Sequence, residues 1–583
     1  MHRLFCSIAL ISLAAQSLLG QRQHVESVPA IVSTTTQSQV EQRLLKDLTY
    51  LASTELEGRG NGYKGLDLAA DYIQKTYDGL GLKVSRQTFP FVHKVERGEA
   101  ACRLAGVDLD FGKDVEALGS SGDGSFNNAP VLFAGFGLKT DQWDDFKDND
   151  PKDKVVAISR RVPGIEGVKG VSNSDLALHS RIRRIANAGA LAVIVLEDAP
   201  APATIKREEG PLSQSIPVVS LPVTALDGAK EMLESIKSEP ASKLLPGMEM
   251  DLSVRMVQVT AQLPNLTAVM PGSDPTLSKE YVVVGAHMDH LGMGERNSRS
   301  GPSKVHPGAD DNASGTAMVM ELARQLKPLD TKRSILFVHF SGEEEGLLGS
   351  AHWLQFPTVP LPSVKFMVNF DMVGRMDREK PVLHLGGLGA TKAFIDHSRA
   401  LAPGGLTIGS DLGFAMGGSD HMSFATAKIP SYFFFTGIHT DYHTPTDTVD
   451  RLNIPGMARI ADYAINVVRN IADAPELPAF DPTMAQNTGR QASTQGRRIS
   501  FGTVPDFTEG KDGFRITGAM PGSTAEGIGL RGGDRIVSFG ERPIADIYDF
   551  MEALGSFKGG DKVVVKWVRD GQQQQAEATL RER

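Results

Sequence analysis

Five short clusters in the middle of the chain carry side chains of the kind that hold divalent metal ions: His287-Met288-Asp289, Asp310-Asp311, Glu343-Glu344-Glu345, Asp371 and Asp441-Tyr442-His443. Each has a bland explanation when taken alone. A histidine after a strand is commonly structural, three consecutive glutamates make a solvated turn, and two aspartates before a helix are ordinary caps. Placement separates them from chance. Residues 281–286, 335–340 and 364–370 read as buried strands, and His287, Glu343-Glu344 and Asp371 follow at their C-terminal ends. In an open α/β sheet the ligand crevice lies outside the carboxyl ends of the strands, so this order gathers the donors at one edge.

The elements that would position them follow from the pattern. From 265 to about 472 apolar strands and helices alternate, which predicts an α/β domain with a mixed β-sheet flanked by helices. Residues 307–315 form a glycine-flanked loop opening into an Ala/Met/Leu-rich helix, and the Asp441–His443 cluster follows the apolar run 429–435. Upstream, 40–81 reads as helical, interrupted by a glycine-rich turn at 56–62, with Leu68, Ala69, Tyr72, Ile73 and Tyr77 at helical spacing.

Taken in order, Gly285-Ala286-His287-Met288-Asp289, Gly308-Ala309-Asp310-Asp311-Asn312-Ala313-Ser314-Gly315, Gly342-Glu343-Glu344-Glu345-Gly346, Phe370-Asp371-Met372 and Tyr442-His443-Thr444 resemble the two-zinc exopeptidases of metallopeptidase family 28. The match is close over 260–475 and looser over 40–125. This resemblance implies a zinc exopeptidase fold with two metals: Asp310 as the bridge, His287 and Asp371 completing one site, Glu344 and His443 the other. Imidazole and carboxylate ligands without cysteine suit catalytic zinc, and manganese or cobalt is compatible with the same donors. The resemblance further implies Glu343 as general base on a metal-bridging water or hydroxide, Asp289 as the partner holding the His287 ring, and Tyr442 as a hydrogen-bond donor to the oxyanion. Asp311 is expected to orient the Asp310 loop rather than to bind metal. Glycines 342 and 346 permit the turn that Glu343 and Glu344 need in order to face different ways. His421 is a further candidate for substrate contact, whereas His290, His306, His339, His352 and His439 read as structural or supporting.

Two flanking modules complete the expected organisation. Residues 126–258, with strands near 131–135, 155–158 and 191–196, a Gly189-Ala190 step, Ile216-Pro217-Val218-Val219 and a helix over 224–236, resemble the β-rich α/β protease-associated domain inserted in several exopeptidases. Residues 498–583 resemble a PDZ domain of the bacterial protease-associated type, in which a peptide or protein C-terminus adds as a strand and backbone amides near 500–503 hold its carboxylate. The expected division is therefore 1–20 an export signal, 40–125 and 259–475 the two parts of the zinc peptidase domain, 126–258 the insert, 476–497 a linker and 498–583 the PDZ domain.

Composition narrows the function classes. With 583 residues, 41% hydrophobic and 22% charged, the chain has the make-up of a globular protein, and its net charge of -9 offers no basic footprint for nucleic acid. Met1-His2-Arg3, the apolar stretch 4–19 and the small residues Ala14, Ala15 and Gly20 predict a cleavable export signal, hence a periplasmic or secreted protein with no membrane anchor after cleavage. Of the two cysteines, Cys6 falls in that signal, leaving Cys102 without an internal partner. There is no Gly-x-Ser-x-Gly elbow and no His-Glu-x-x-His helix. The expected function is an exported zinc-dependent aminopeptidase that removes N-terminal residues from peptides. Carboxypeptidases and dipeptidases share the same metal set and stay open, while the complete set of donors argues against an inactive peptide-binding scaffold.

Overall fold

A computed structural model describes residues 35–582 apart from 141, 163–175, 177, 198–213, 227–239, 241, 295–296, 299, 301–303, 410–417, 487–498, 506–512, 520–522, 545–548, 551–552 and 555–556. The export signal expected at 1–20, most of the helix expected over 224–236 and the second half of the linker lie outside these residues. No helix among the described residues is long and apolar enough to cross a membrane.

Four parallel strands form the centre of the first lobe, in the spatial order Ser334–Phe340, Tyr281–His287, Val364–Phe370 and Ser431–Phe435. Their side chains are buried on both faces, as the near-continuous Val, Ile, Met and Phe runs require of a sheet covered on each side. The strand Val382–Leu388 joins antiparallel beyond Ser431–Phe435, and Lys243–Met270 joins antiparallel beyond Ser334–Phe340, so the sheet is mixed as expected.

Helices Gln37–Leu51, Lys64–Gly79, Gly315–Leu326 and Ile454–Asp473 supply apolar residues to the core on one face. Thr36 starts the first of these: its hydroxyl accepts from Gln39 N (3.3 Å), and the Gln39 carbonyl oxygen accepts from Thr36 N (3.0 Å), satisfying two helix-end donors reciprocally. On the opposite face Trp353 and Phe424 stack with ring centroids 5.6 Å apart, beside Leu336, Phe340 and Met367.

A long antiparallel ribbon, Val84–Leu104 against Lys243–Met270, links this sheet to a second lobe. That lobe is a parallel run of strands Gly124–Phe133, Val155–Ser159, Ala192–Glu197 and Val218–Pro222, closed by Glu116–Ala117. Its core already includes Cys102, Leu104, Val115 and Ala117, so the insert does not begin at 126 as the sequence suggested. The change of lobe falls on the ribbon, where the register shifts between Val92 and Lys94 and again between Arg97 and Ala100. Two unbroken strands pass from one lobe into the other, and such a boundary leaves no compositional break to read.

The C-terminal module is a small antiparallel sheet with Phe514–Ala519, Arg535–Phe539, Lys562–Arg569 and Gln572–Thr579. Its core gathers Phe501, Ile516, Ile536, Phe539, Phe550 and Trp567. It meets the first lobe at an ion pair between Lys428 Nζ and Glu526 Oε1, 2.9 Å apart.

Candidate metal centre and active site

Because the four central strands are parallel, their carboxyl ends open on one edge, and there the expected donors meet. His287 closes its strand and is buried. Its Nδ1 lies 3.2 Å from the backbone oxygen of Asp289. A carbonyl only accepts, so Nδ1 carries the proton and Nε2 presents its lone pair to the cluster. That Nε2 lies 3.4 Å from Asp371 Oδ2, 3.5 Å from Asp311 Oδ1 and 3.8 Å from Glu343 Oε2. His443, at φ 58°, is oriented in the same way. Its Nδ1 donates to the Asn297 carbonyl (2.9 Å), while Nε2 stands 3.2 Å from both Asp311 Oδ2 and Glu344 Oε2.

Asp311 therefore occupies the place between the two histidines that was expected of Asp310. The Asp310 carboxylate points away: Oδ1 accepts from Gly374 N (2.6 Å), and Oδ2 lies 3.3 Å from His439 Nε2. The physical reason is the backbone. Within Ala309–Ser314 the chain leaves helical geometry at Asp311 (φ -108°, ψ 96°) and Asn312 (φ -129°, ψ 46°), which turns the two neighbouring side chains to different sides. Asp447 Oδ2 holds this turn by accepting from the N–H of both Asp310 (2.9 Å) and Asp311 (3.1 Å). Asn312 Nδ2 ties it to the end of the third strand by donating to Phe370 O (2.9 Å).

Asp289 also acts differently from the expectation. Its backbone oxygen, not its carboxylate, takes the His287 proton; the nearer carboxylate oxygen is 3.6 Å from the ring. The carboxylate instead accepts from Glu343 N (3.2 Å) and Glu344 N (3.4 Å), and from Asn61 Nδ2 (2.7 Å). It thereby fixes the turn that splits the two glutamates, in which Gly342 and Gly346 take positive φ (70° and 104°). Glu344 turns to His290 and His443, and Glu343 to His287.

Charge and burial set the protonation states. Burial disfavours the imidazolium of His287, yet the carboxylates of Glu343 and Asp371 outweigh it and hold the group well above the usual histidine value. For His443 burial is likewise outweighed, by Glu344 and Asp311, and the group is pushed up to about 11. Burial, reinforced by Glu344, Asp371 and Asp420, raises Glu343 well above the ordinary carboxylic range. Burial raises Asp371 too, but His287 and Ser419 overcome it and leave the carboxyl low. Burial also raises Tyr442, with Asp311 and Glu344 adding to it, so its hydroxyl stays a donor. The Tyr442 ring stacks on His443, with centroids 3.8 Å apart.

The donor set fits a pair of divalent cations. His287 Nε2, His443 Nε2 and Asp371 Oδ1 are buried and make no hydrogen bond. Two separate trios, His287 with Glu343 and Asp371 and His290 with Asp311 and Glu344, each bring donor atoms within 4.8 Å of one another. The carboxylates outnumber the imidazoles, so divalent cations would neutralise the cluster and take the place of the protons otherwise held by His287 and His443.

An open cavity of about 500 Å³ faces this cluster. Asp311, Glu343, Glu344 and Asp371 form its polar side, and Met372, Phe433, Phe435, Ile438 and Tyr442 its apolar side. His421 is not part of the lining. It is buried behind the wall with its ring stacked on Phe433, centroids 4.3 Å apart, which removes it as a direct substrate contact.

His290, read as structural or supporting, takes a supporting place: its Nδ1 lies 2.7 Å from Glu344 Oε1. Other residues of the site escaped the sequence reading. Asp420 is fully buried and pushed up to about 7, by burial above all and by the nearby Asp289 and Asp371. Asp447 lies just beyond the Asp441–His443 cluster and was not singled out. Arg59 and Asn61 sit in the glycine-rich turn, and nothing in their spacing pointed to the site; the signal would have been an arginine flanked by glycines inside an otherwise helical segment.

Residues 265–468 match the model of peptidase family M28, and residues 506–580 match a PDZ domain. The chain is 27% identical over 392 residues to the aminopeptidase YwaD of Bacillus subtilis, covering 64% of this chain and 74% of that protein. It is 28% identical over 231 residues to a probable leucine aminopeptidase of Arthroderma benhamiae, covering 38% of this chain and 61% of that one. Among solved structures, BSAP, a zinc aminopeptidase from Bacillus subtilis, aligns at 24% identity and a TM-score of 0.47 over 73% of this chain and 94% of its own. The chain thus carries a peptidase family M28 domain over residues 265–468, followed by a PDZ domain over residues 506–580.

Proposed function

We propose that this protein is a zinc-dependent aminopeptidase that releases N-terminal residues, preferentially apolar ones, from peptides. One observation carries the reading: Asp311 stands between a His287–Asp371 pair and a His443–Glu344 pair, with Glu343 beside them on the cavity. Two zinc ions held by these five side chains would polarise the scissile carbonyl and lower the pKa of water at the centre. Glu343, beside the ligands on the cavity, takes the proton of the attacking water and passes it to the leaving amine. Tyr442, kept protonated, donates a hydrogen bond to the developing oxyanion. The surplus of carboxylates suits the free ammonium of a peptide N-terminus, and the wall of Met372, Phe433, Phe435 and Ile438 suits an apolar side chain. The aminopeptidase names of the relatives support the same reading.

Export by a signal within residues 1–20, a protease-associated identity for the inserted lobe and capture of a peptide C-terminus by the PDZ domain belong to the same proposal. The deciding experiment is metal analysis of the purified chain together with hydrolysis of aminoacyl amides and their N-blocked counterparts. Two zinc ions per chain and cleavage of the free-amine substrates alone are expected. Equal cleavage of N-blocked substrates would overturn the aminopeptidase assignment.

A further inference from the structure

The glycine-rich turn at 56–62 lies far from the five donor clusters in sequence, yet it packs directly behind them. Arg59 is fully buried at its centre. Its guanidinium spends its donors on backbone carbonyls: Nε on Met288 O (2.9 Å), Nη1 on Leu51 O (2.6 Å) and Pro307 O (2.7 Å), and Nη2 on Gly308 O (2.8 Å). Met288 lies between His287 and Asp289, and Pro307-Gly308 leads into Asp310-Asp311. One planar group therefore clasps the loop bearing His287 and the loop bearing Asp311.

The backbone of the turn adds to this grip. His290 N donates to Arg59 O (3.2 Å) and Gly292 N to Gly58 O (3.3 Å). The approach is close enough to require glycine: a Cβ on Gly58, at φ 62°, would stand 2.4 Å from the His306 carbonyl oxygen. Two residues on, Asn61 donates to the Asp289 carboxylate that holds the N–H groups of Glu343 and Glu344. Three of the donor-bearing loops thus meet at one short turn.

We propose that Arg59 is a positioning residue for the metal centre. It sets the spacing of the His287 loop against the Asp311 loop, and Asn61 extends the same control to Glu343 and Glu344. The inference rests on the two-metal reading of the site. Lysine cannot replace the guanidinium, because a compact ammonium lacks the planar fork that reaches several carbonyls at once. The charge matters as well, since Arg59 faces the carboxylates of Asp311, Asp289, Asp447 and Glu344 from behind.

The test uses the full chain stripped of metal, comparing wild type, Arg59→Lys and Asn61→Ala. Zinc affinity is measured by chelator competition, folding by thermal melting, and kcat and KM on a free-amine amide. The expected result is an Arg59→Lys protein that folds but binds zinc about 10–100-fold more weakly, the range set by loss of a partner outside the ligand shell, with kcat falling much more than KM. A folded Arg59→Lys with wild-type zinc affinity and wild-type kcat overturns the proposal while leaving the metallopeptidase reading intact. Wild-type chain that binds no zinc overturns both. Should Arg59→Lys not fold, Asn61→Ala decides: weakened zinc binding in a folded protein supports the role of the turn, and unchanged binding overturns it.

Discussion

Asp310 and Asp311 are neighbours in the chain, but their carboxylates face different histidines. Asp310 Oδ2 is 3.3 Å from His439 Nε2, and Asp311 Oδ2 is 3.2 Å from His443 Nε2. Only Asp311 also reaches His287 and lines the cavity. The two aspartates are therefore distinguishable by substitution. Asp311→Asn is expected to weaken zinc binding by more than the ~10–100-fold typical of an outer partner, and Asp310→Asn to stay within that range. Chelator competition on both variants checks this; the reverse ranking would return the bridging position to Asp310.

Glu343 and Glu344 are split by the Asp289-held turn, so removing the charge of Glu343 leaves the other donors in place. Glu343→Gln is expected to keep its metal content and to lose about 10²–10⁴-fold in kcat, the usual contribution of a positioned general base. Metal analysis paired with steady-state kinetics measures both. Full activity in this variant removes Glu343 from the mechanism.

Phe435 ends its strand on the apolar side of the cavity, stacked on Phe433 with centroids 5.4 Å apart. On the proposed function, Phe435→Ala shortens the wall that would receive the side chain of the released residue. The preference for leucyl over alanyl amide, as a ratio of kcat/KM, is expected to fall by about 10-fold or more, the scale on which hydrophobic pockets discriminate. An unchanged ratio would place the selective surface elsewhere.

His339 gives the stability of the fold a pH dependence. It is fully buried, burial lowers it to about 3, and its Nε2 lies 2.7 Å from the Tyr77 hydroxyl. Burial raises the tyrosine, which therefore keeps its proton and donates it to the neutral ring. In the unfolded chain an imidazole titrates near the ordinary histidine value, so the unfolded state takes up a proton first as pH falls. Stability is then fully present above about pH 6.5 and is lost on the way down to about pH 3, by up to about 1.4 kcal/mol per pH unit from this one group. Urea unfolding of metal-stripped chain at several pH values should show a shallower acid limb for His339→Gln than for wild type. Parallel limbs would exclude His339 as a source of the slope.

Much of the site was legible because local and global signals coincide. A buried parallel strand is a run of Val, Ile and Phe, and it ends where the run ends, so His287, Glu343-Glu344 and Asp371 announce a common edge without any coordinates. His443 and its neighbour Tyr442 were readable through the motif they share with the other clusters. The mixed sheet likewise follows from strand periodicity, and the PDZ module was readable through its resemblance to a known domain.

What the amino-acid sequence determined by itself was thus the inventory of donors, their order and the kind of sheet that gathers them. Only the tertiary structure decided which of two adjacent aspartates faces both histidines, because that depends on the backbone path at Asp311 and on Asp447 holding two N–H groups from across the site. Only the structure moved the lobe boundary onto a ribbon that runs unbroken through it. And only packing brought Arg59 behind the centre, since hydrogen bonds from a guanidinium to backbone carbonyls leave no mark on the identity of the residues that accept them.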